Sequence, residues 1–155
     1  MSEILYCEPG RIFCRAKQLL LAVDGSEGSA RATSVAFEIA ELTGSKVFII
    51  HVVPTPTVKQ FALMAEADFD VVLAKYDEKG RKLLTGYAEA SKIYDVEVEI
   101  ILEHGLPSER IISVSDEKDV DMIIMGTRTT SKRTGTGTTT ERVVAGSTRS
   151  VIVAK

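Results

Sequence analysis

The chain is poor in several residue types. Its 155 residues include no tryptophan, no asparagine, two glutamines and two cysteines. Cys7 and Cys14 are spaced too widely for a Cys-x-x-Cys redox or zinc motif. This favours free thiols, with a disulfide inside the amino-terminal segment as the open alternative. Proteins of hyperthermophiles are depleted in thermolabile amides, so the shortage of asparagine and glutamine indicates a thermophile.

The chain also lacks an apolar run of membrane-spanning length, and its start, MSEILYCEPGRIFCR, lacks the apolar core of a signal peptide. We therefore expect a cytoplasmic protein with no membrane partner. Aromatic residues make up 6% of the chain and the formal net charge is −3. Since no stripe of interleaved basic and aromatic residues is present, this composition argues against nucleic acid as a partner.

Signatures of metal binding and catalysis are missing as well. The two histidines, His51 in an apolar run and His104 beside a glycine, have no carboxylates at ligand spacing, so we expect no metal site built by the protein. The sequence has no Gly-x-Ser-x-Gly elbow, no Gly-x4-Gly-Lys-Ser/Thr loop and no recognisable arginine finger. It therefore predicts binding without efficient turnover.

What the chain does contain is an alternation of short apolar runs and helical segments. The predicted strands are 19–23, 47–53, 96–102, 122–125 and 150–154. The predicted helices run from Ser26 or Ser29 to Gly44, from about 65 to 94, from Pro107 onward and from just after Thr138, with a turn at 54–56. Alternating valine and glutamate in the third strand, and the terminal position of the fifth, place both at sheet edges.

This order predicts an α/β fold with a doubly wound five-stranded parallel sheet flanked by helices. The sheet belongs to a single domain over residues 18–155, and residues 1–17 form an amino-terminal arm. In such folds ligands bind beyond the carboxyl ends of the strands, where the strand order reverses. Asp24 follows the first strand and Gly126 ends the fourth, so we expect these residues to meet there.

The segment after the fourth strand has the composition of an anion site. Eight of the fifteen residues from Gly126 to Thr140 are threonine, and Thr138-x-x-Glu141 has the form of a capping box at a helix start. The first N–H groups of a helix lack intrahelical partners and carry the positive end of its dipole. Residues 126–155 carry a net charge of +5 and residues 1–125 carry −8, which concentrates positive potential near this loop. A solvated basic loop without a ligand is the alternative.

In these segments the chain resembles the universal stress protein family, over roughly residues 18–155. The resemblance is carried by LLLAVDGSEGS at the first strand, IIHVV at the second, VDMIIMGTR at the fourth, GTTTERVV at the last helix and the closing SVIVAK. Nucleotide-binding members of this family wrap the phosphates of ATP with a Gly-x2-Gly-x9-Gly-Ser/Thr loop. They hold the ribose with an aspartate after the first strand and meet adenine near the end of the second.

The resemblance implies a set of site residues. Asp24 would hold the ribose, Val23 and Val52 would meet adenine, and phosphate would be contacted by Gly126, Arg128, Gly137, Thr138, Thr139 and Thr140. A turn-capping role is the alternative for Asp24. The loop departs from the family pattern, because Thr129 stands at the second glycine and seven residues rather than nine separate it from Gly137. A β-branched residue resists the positive φ that glycine allows.

The resemblance also implies a function. The chain would bind an adenine nucleotide, ATP or AMP, with Mg²⁺ as an optional companion, and would act as a homodimeric sensor or stress-response module, paired through its C-terminal strand. It would not be an enzyme beyond slow ATP hydrolysis. A nucleotide-free interaction module of the same fold is the first alternative. A doubly wound flavin or phosphoacceptor protein is the second, although Asp24 stands alone rather than in the acidic cluster that a phosphoacceptor needs.

Overall fold

A computed structural model of the chain describes residues 16–127 and 138–155. Residues 1–15, with Cys7 and Cys14, lie outside the described residues. The same holds for residues 128–137, with Arg128, Thr129 and Gly137. What the sequence predicts for these positions stays a prediction.

The five predicted strands are present and form one parallel sheet. They are β1 Gln18–Ala22, β2 Lys46–Pro54, β3 Val98–Gly105, β4 Met122–Gly126 and β5 Ser150–Ala154. Their order across the sheet is β3-β2-β1-β4-β5. The edge positions predicted for β3 and β5 are confirmed, and the strand order reverses between β1 and β4.

Helices cover both faces of the sheet, because successive strand residues point to opposite faces. α1 (Glu27–Thr43) and α3 (Phe69–Ala90) pack on one face, and α4 (Pro107–Glu117) and α5 (Thr139–Gly146) pack on the other. The central strands β1, β2 and β4 are therefore buried on both sides. This double burial explains why they read as nearly continuous apolar runs.

Local signals set most of the helix ends. α1 begins after the N-cap Ser26, whose side chain accepts a hydrogen bond from the N–H of Ser29, and it ends at Gly44, which has a φ of 70°. α4 carries Pro107 in its first turn, where an N–H would have no intrahelical partner. α5 begins after Thr138 with the predicted capping box. These boundaries confirm the sequence prediction.

The prediction was wrong between the second strand and the long helix. The segment 54–56, predicted as a turn, leads into a further helix, α2 (Thr55–Met64), with Pro56 in its first turn. Proline is tolerated there because its missing N–H breaks no helical hydrogen bond. The long helix is also shorter than predicted, since α3 begins after the N-cap Asp68 and is followed by a 3-10 turn at Ser91–Tyr94.

Candidate functional site

The candidate site lies beyond the carboxyl ends of β1, β2 and β4, where the strand order reverses between β1 and β4. The chain leaves β1 toward β2 and leaves β4 toward β5, so the two connections diverge and leave a crevice between them. Three segments border this crevice. They are the loop 23–26 with the start of α1, the end of β2, and the end of β4 with the start of α5.

Asp24 forms a polar turn at the start of α1. Its Oδ1 accepts hydrogen bonds from the N–H of Ser26 at 2.9 Å and from the hydroxyl of Ser29 at 2.8 Å, while its own N–H donates to Ser29 Oγ at 2.8 Å. Gly25 has a φ of 84°, a conformation that glycine adopts without a Cβ clash. The turn-capping role of Asp24 is therefore present, and it holds an exposed carboxylate in one orientation.

The start of α1 lies in direct backbone contact with the end of β4. A Cβ built on Gly126 would lie 2.1 Å from the carbonyl oxygen of Gly28, and a Cβ built on Gly28 would lie 2.2 Å from the carbonyl oxygen of Thr127. Neither position has room for a side chain. The contact places the first turn of α1, four residues after Asp24, against the end of β4.

The start of α5 is tied to the same strand end. The hydroxyl of Thr140 donates to the carbonyl oxygen of Gly126 at 2.9 Å. In the capping box the N–H of Thr138 donates to Glu141 Oε2 at 3.1 Å, and the N–H of Glu141 donates to Thr138 Oγ1 at 3.2 Å. Among the described residues, none accepts a hydrogen bond from the N–H of Thr139 or Thr140, as expected for the first turn of a helix. Since the hydroxyl proton of Thr140 is engaged, this residue can offer an anion only its backbone N–H.

The end of β2 presents a peptide group past the end of β1. Ile50 accepts a hydrogen bond from the N–H of Val23 at 3.0 Å, and alternate strand residues point their N–H and C=O groups to the same side. Val52 therefore also faces the side of β1, beyond the last paired residue, Ala22. The carbonyl oxygen of Val23 accepts from Nδ1 of His51 at 2.9 Å. The N–H of Val23 is therefore engaged, and its carbonyl oxygen already accepts one hydrogen bond, so Val23 has no backbone donor left for a base.

α3 covers the loop between β1 and α1. A Cβ built on Gly25 would lie 3.3 Å from Cδ1 of Leu83, and Tyr87 lies one helical turn further on, near Asp24 and Ser29. Burial, and after it the carboxylate of Asp24, raise the pKa of Tyr87 above its ordinary value, and the nearby Ser29 side chain offsets part of that rise. A phenolate is disfavoured beside this carboxylate, so Tyr87 is protonated at neutral pH.

The described segments bring together most of the predicted site residues, namely Val23, Asp24, Val52, Gly126, Thr138, Thr139 and Thr140. Arg128 and Gly137 lie outside the described residues. Sequence reasoning missed four contributors to the local geometry, Gly28, Ser29, His51 and Tyr87. The spacing of Asp24 and Ser29, and a glycine inside the first turn of a helix, were available signals for the first two. No local pattern points to the other two, because their partners lie on other elements.

Other features of the described chain do not compete with this crevice. A surface cavity of 480 Å³ lies away from it, beside Gly44 and Tyr94 at the end of α1. Over residues 16–127 and 138–155, no three His, Cys, Asp or Glu residues are grouped so that they could hold a metal ion. In the same part of the chain, no helix combines the length and apolar character needed to cross a membrane.

Comparison with known proteins gives a consistent family match. The family model described as "Universal stress protein family" matches residues 15–155. The universal stress protein YxiE of Bacillus subtilis is 29% identical over 119 residues, which cover 74% of this chain and 80% of YxiE. A universal stress protein of Thermus aquaticus is 32% identical over 114 residues, which cover 72% of this chain and 77% of the relative.

Solved structures share the fold. The hypothetical protein MJ0577 matches with a TM-score of 0.77 at 24% identity, covering 90% of this chain and 96% of that protein. A universal stress protein in complex with cAMP matches with a TM-score of 0.67 at 19% identity, covering 90% and 96%. The universal stress protein from Archaeoglobus fulgidus in complex with dAMP matches with a TM-score of 0.65 at 22% identity, covering 90% and 98%.

Proposed function

The chain belongs to the universal stress protein family, and we propose that it is an adenine-nucleotide-binding member with ATP or AMP as its ligand. The observation that carries the proposal is the crevice at the reversal of strand order, bordered by a carboxylate, a strand-end peptide group and a helix amino terminus. A nucleotide has a matching group for each: ribose hydroxyls for the carboxylate, a base edge for the peptide group and phosphate for the helix amino terminus. Two structural neighbours are complexes with cAMP and dAMP, which supports this class of ligand.

The end of β2 fits the Watson–Crick edge of adenine. The N–H and C=O of Val52 face the side of β1 past its last paired residue, so a donor and an acceptor lie side by side. Adenine presents an acceptor, N1, next to a donor, its amino group, whereas guanine presents these in the reverse order. The peptide group of Val52 therefore favours adenine over guanine.

The carboxylate of Asp24 fits the ribose hydroxyls. Its hydrogen bonds with Ser26 and Ser29 fix its orientation before any ligand binds, which lowers the entropy cost of binding. A carboxylate has about four acceptor positions. A turn-capping role and a ribose-binding role of this carboxylate are therefore compatible.

The first turn of α5 fits phosphate. The N–H groups of Thr139 and Thr140 lie at the positive end of the helix dipole. Glu141 places a carboxylate at the same helix end, and its negative charge weakens the attraction for additional phosphates. Mg²⁺ could accompany the nucleotide through the phosphates themselves. Hydrolysis is slow at most in this proposal, because the sequence supplies no P-loop lysine or arginine finger.

The proposed biological role is that of a homodimeric sensor or stress-response module in the cytoplasm. β5 occupies a sheet edge, and its residues Val151, Ile152 and Val153 are half-buried. An uncovered apolar edge strand is normally paired or masked. Pairing with β5 of a second copy across a two-fold axis would give the backbone N–H and C=O groups of this edge hydrogen-bond partners.

Calorimetric titration of AMP and ATP into matched variants tests the proposal. Asp24→Ala should weaken nucleotide binding by about 1.5–3 kcal/mol, the range for loss of a charged hydrogen-bond partner. Asp68→Ala is the control, because the carboxylate of Asp68 also accepts hydrogen bonds from a helix start, those of Asp70 and Val71. It removes a comparable cap, about 22 Å along α3 from Leu83, which covers the Asp24 loop, and should leave the affinity unchanged.

The result also separates the leading proposal from its alternative. A chain that shows no heat of binding and no thermal shift with AMP, ADP or ATP would be a nucleotide-free interaction module. Equal affinity in Asp24→Ala and in the unmodified protein would assign Asp24 to the turn alone.

A further inference from the structure

We propose that His51 is a positioning residue that keeps the peptide N–H of Val52 open for the base, an inference that rests on the proposed nucleotide binding. His51 does so by holding the carbonyl group of Val23, the acceptor that the N–H of Val52 would otherwise use. The inference follows from the register of β1 and β2 and from one side-chain hydrogen bond.

If the parallel ladder between β1 and β2 continued, the N–H of Val52 would be engaged in a backbone hydrogen bond. Lys46 donates its N–H to Lys17 at 2.9 Å, and Ile50 accepts from Val23 at 3.0 Å. The even-numbered residues of β2 thus point their peptide groups toward β1. In the same register the N–H of Val52 would donate to the carbonyl oxygen of Val23. Within the described part of the chain, no such backbone hydrogen bond is formed.

The imidazole of His51 donates to that carbonyl group instead. The Nδ1 of His51 lies 2.9 Å from the carbonyl oxygen of Val23. A carbonyl oxygen can only accept, so Nδ1 carries the proton and donates it. His51 directly precedes Val52 on β2, and its side chain reaches across to β1 from the face covered by α3.

α3 holds the imidazole in this position. A Cβ built on Gly80 would lie 3.0 Å from Cδ2 of His51 and 2.9 Å from Cδ1 of Leu102. The ring is therefore confined between the backbone of α3 and the carbonyl group of Val23. This confinement leaves little room for a second rotamer of His51.

In this arrangement the N–H of Val52 depends on a ligand for a hydrogen-bond acceptor. Val52 is 7% exposed, and a buried N–H without an acceptor raises the free energy of the folded protein. A ring nitrogen such as N1 of adenine removes that cost when it accepts from Val52. His51 therefore contributes to recognition of the base without touching it.

Hydrogen exchange in the nucleotide-free, ¹⁵N-labelled protein tests whether His51 keeps the N–H of Val52 out of the β1–β2 ladder. The Val52 amide should exchange faster than the amide of Ile50, which lies within the β1–β2 ladder. His51→Leu keeps an apolar bulk but removes the donor, so the freed carbonyl group should accept from Val52 and slow its exchange by about tenfold or more. His51→Asn retains a side-chain N–H near the position of Nδ1 and should keep the fast exchange.

Nucleotide affinities test whether His51 contributes to recognition of the base by the N–H of Val52. The probes are AMP and 1-deaza-AMP, which lacks the N1 acceptor, and the unmodified protein should prefer AMP by about fivefold, the effect of one neutral hydrogen bond. His51→Leu should bring this ratio close to one, and His51→Asn should restore it. His104→Leu is the control, because His104 pairs with Asp77 at 2.6 Å at the end of β3 and should leave the ratio unchanged. A purely structural role of His51 would lower stability without changing the ratio.

Slow exchange of Val52 in the unmodified protein, equal to that of Ile50, would overturn the inference without any variant. Unchanged exchange in a folded His51→Leu protein would overturn it as well. A protein with the expected exchange pattern that binds no AMP would refute the proposed function, while confirming the effect of His51 on the peptide group of Val52.

Discussion

The contact between α1 and β4 predicts a large loss of stability for Gly28→Ala. The new Cβ would lie 2.2 Å from the carbonyl oxygen of Thr127, whereas ordinary van der Waals contact begins near 3.4 Å. The first turn of α1 and the end of β4 must therefore separate by about 1 Å, a backbone displacement of the kind that overpacking produces at a cost of about 1–3 kcal/mol. The opposing atom is backbone, which cannot turn aside as a side chain can. We therefore expect the upper part of this range.

Helix propensity works in the opposite direction. Alanine in place of glycine stabilises a helix by up to about 1 kcal/mol, so the net destabilisation should be about 2 kcal/mol. Gly86→Ala is the matched control, because Gly86 is also helical and a Cβ built there has no neighbour within 4 Å. This variant should gain roughly 0.5–1 kcal/mol.

Equilibrium unfolding in urea, followed by far-UV circular dichroism, measures both free energies of unfolding. A Gly28→Ala protein whose free energy of unfolding lies within about 0.5 kcal/mol of the unmodified chain, the range of ordinary surface substitutions, would contradict the predicted loss. It would mean that the strand end and the helix start are not in contact. The same displacement would move Ser29, which orients the carboxylate of Asp24, so nucleotide affinity should fall together with stability.

Three further predictions follow from the loop, the sheet edge and α3. ATP and AMP should differ in affinity by less than about tenfold, roughly 1.4 kcal/mol, because Thr129 replaces a glycine of the family loop. Titration of both nucleotides at fixed Mg²⁺, with and without Thr129→Gly, measures this difference. A strong ATP preference in the unmodified protein would show that the loop still wraps a triphosphate. Ala154 accepts a hydrogen bond from Thr127, so the even-numbered residues of β5 face β4 and Val151 faces the outer edge. Val151→Pro therefore removes a backbone donor from that edge and should split the proposed dimer, and a variant that remains dimeric by light scattering would exclude this interface. Because the folded protein raises the pKa of Tyr87 above 10.0, stability linked to its proton is complete below about pH 10 and falls as the pH rises further. Tyr87→Phe should flatten that alkaline loss in urea unfolding, and an unchanged pH profile would contradict the assignment.

Local patterns were sufficient for most elements of the fold and for part of the site. The ends of α1 at Ser26 and Gly44 and the start of α5 at Thr138 depend on hydrogen bonds that span at most four residues. Such signals can be recognised from the sequence, because both hydrogen-bond partners lie in one short segment. Asp24 could be placed at the site for the same reason, since it directly follows a buried strand.

α2 could not be predicted because its signals are ambiguous at short range. Prolines at 54 and 56 suit a turn as well as a helix start. The helix is decided by Val58 and Ala62, which are buried against Val53 and Val72 from β2 and α3. Burial of this small cluster is a tertiary effect, and it outweighs the local preference for a turn.

Residue patterns predicted five buried or half-buried strands that alternate with helices, two of them at sheet edges. They also placed Asp24 and the threonines at the start of α5 near a strand terminus. Which groups meet there depends on how the elements pack against one another. The contact of Gly28 with Gly126, the hydrogen bond of His51 with Val23 and the position of Tyr87 beside Asp24 all join different elements. The register of parallel strands and the packing of helices on them depend on burial summed over the whole sheet, and no short segment contains that sum.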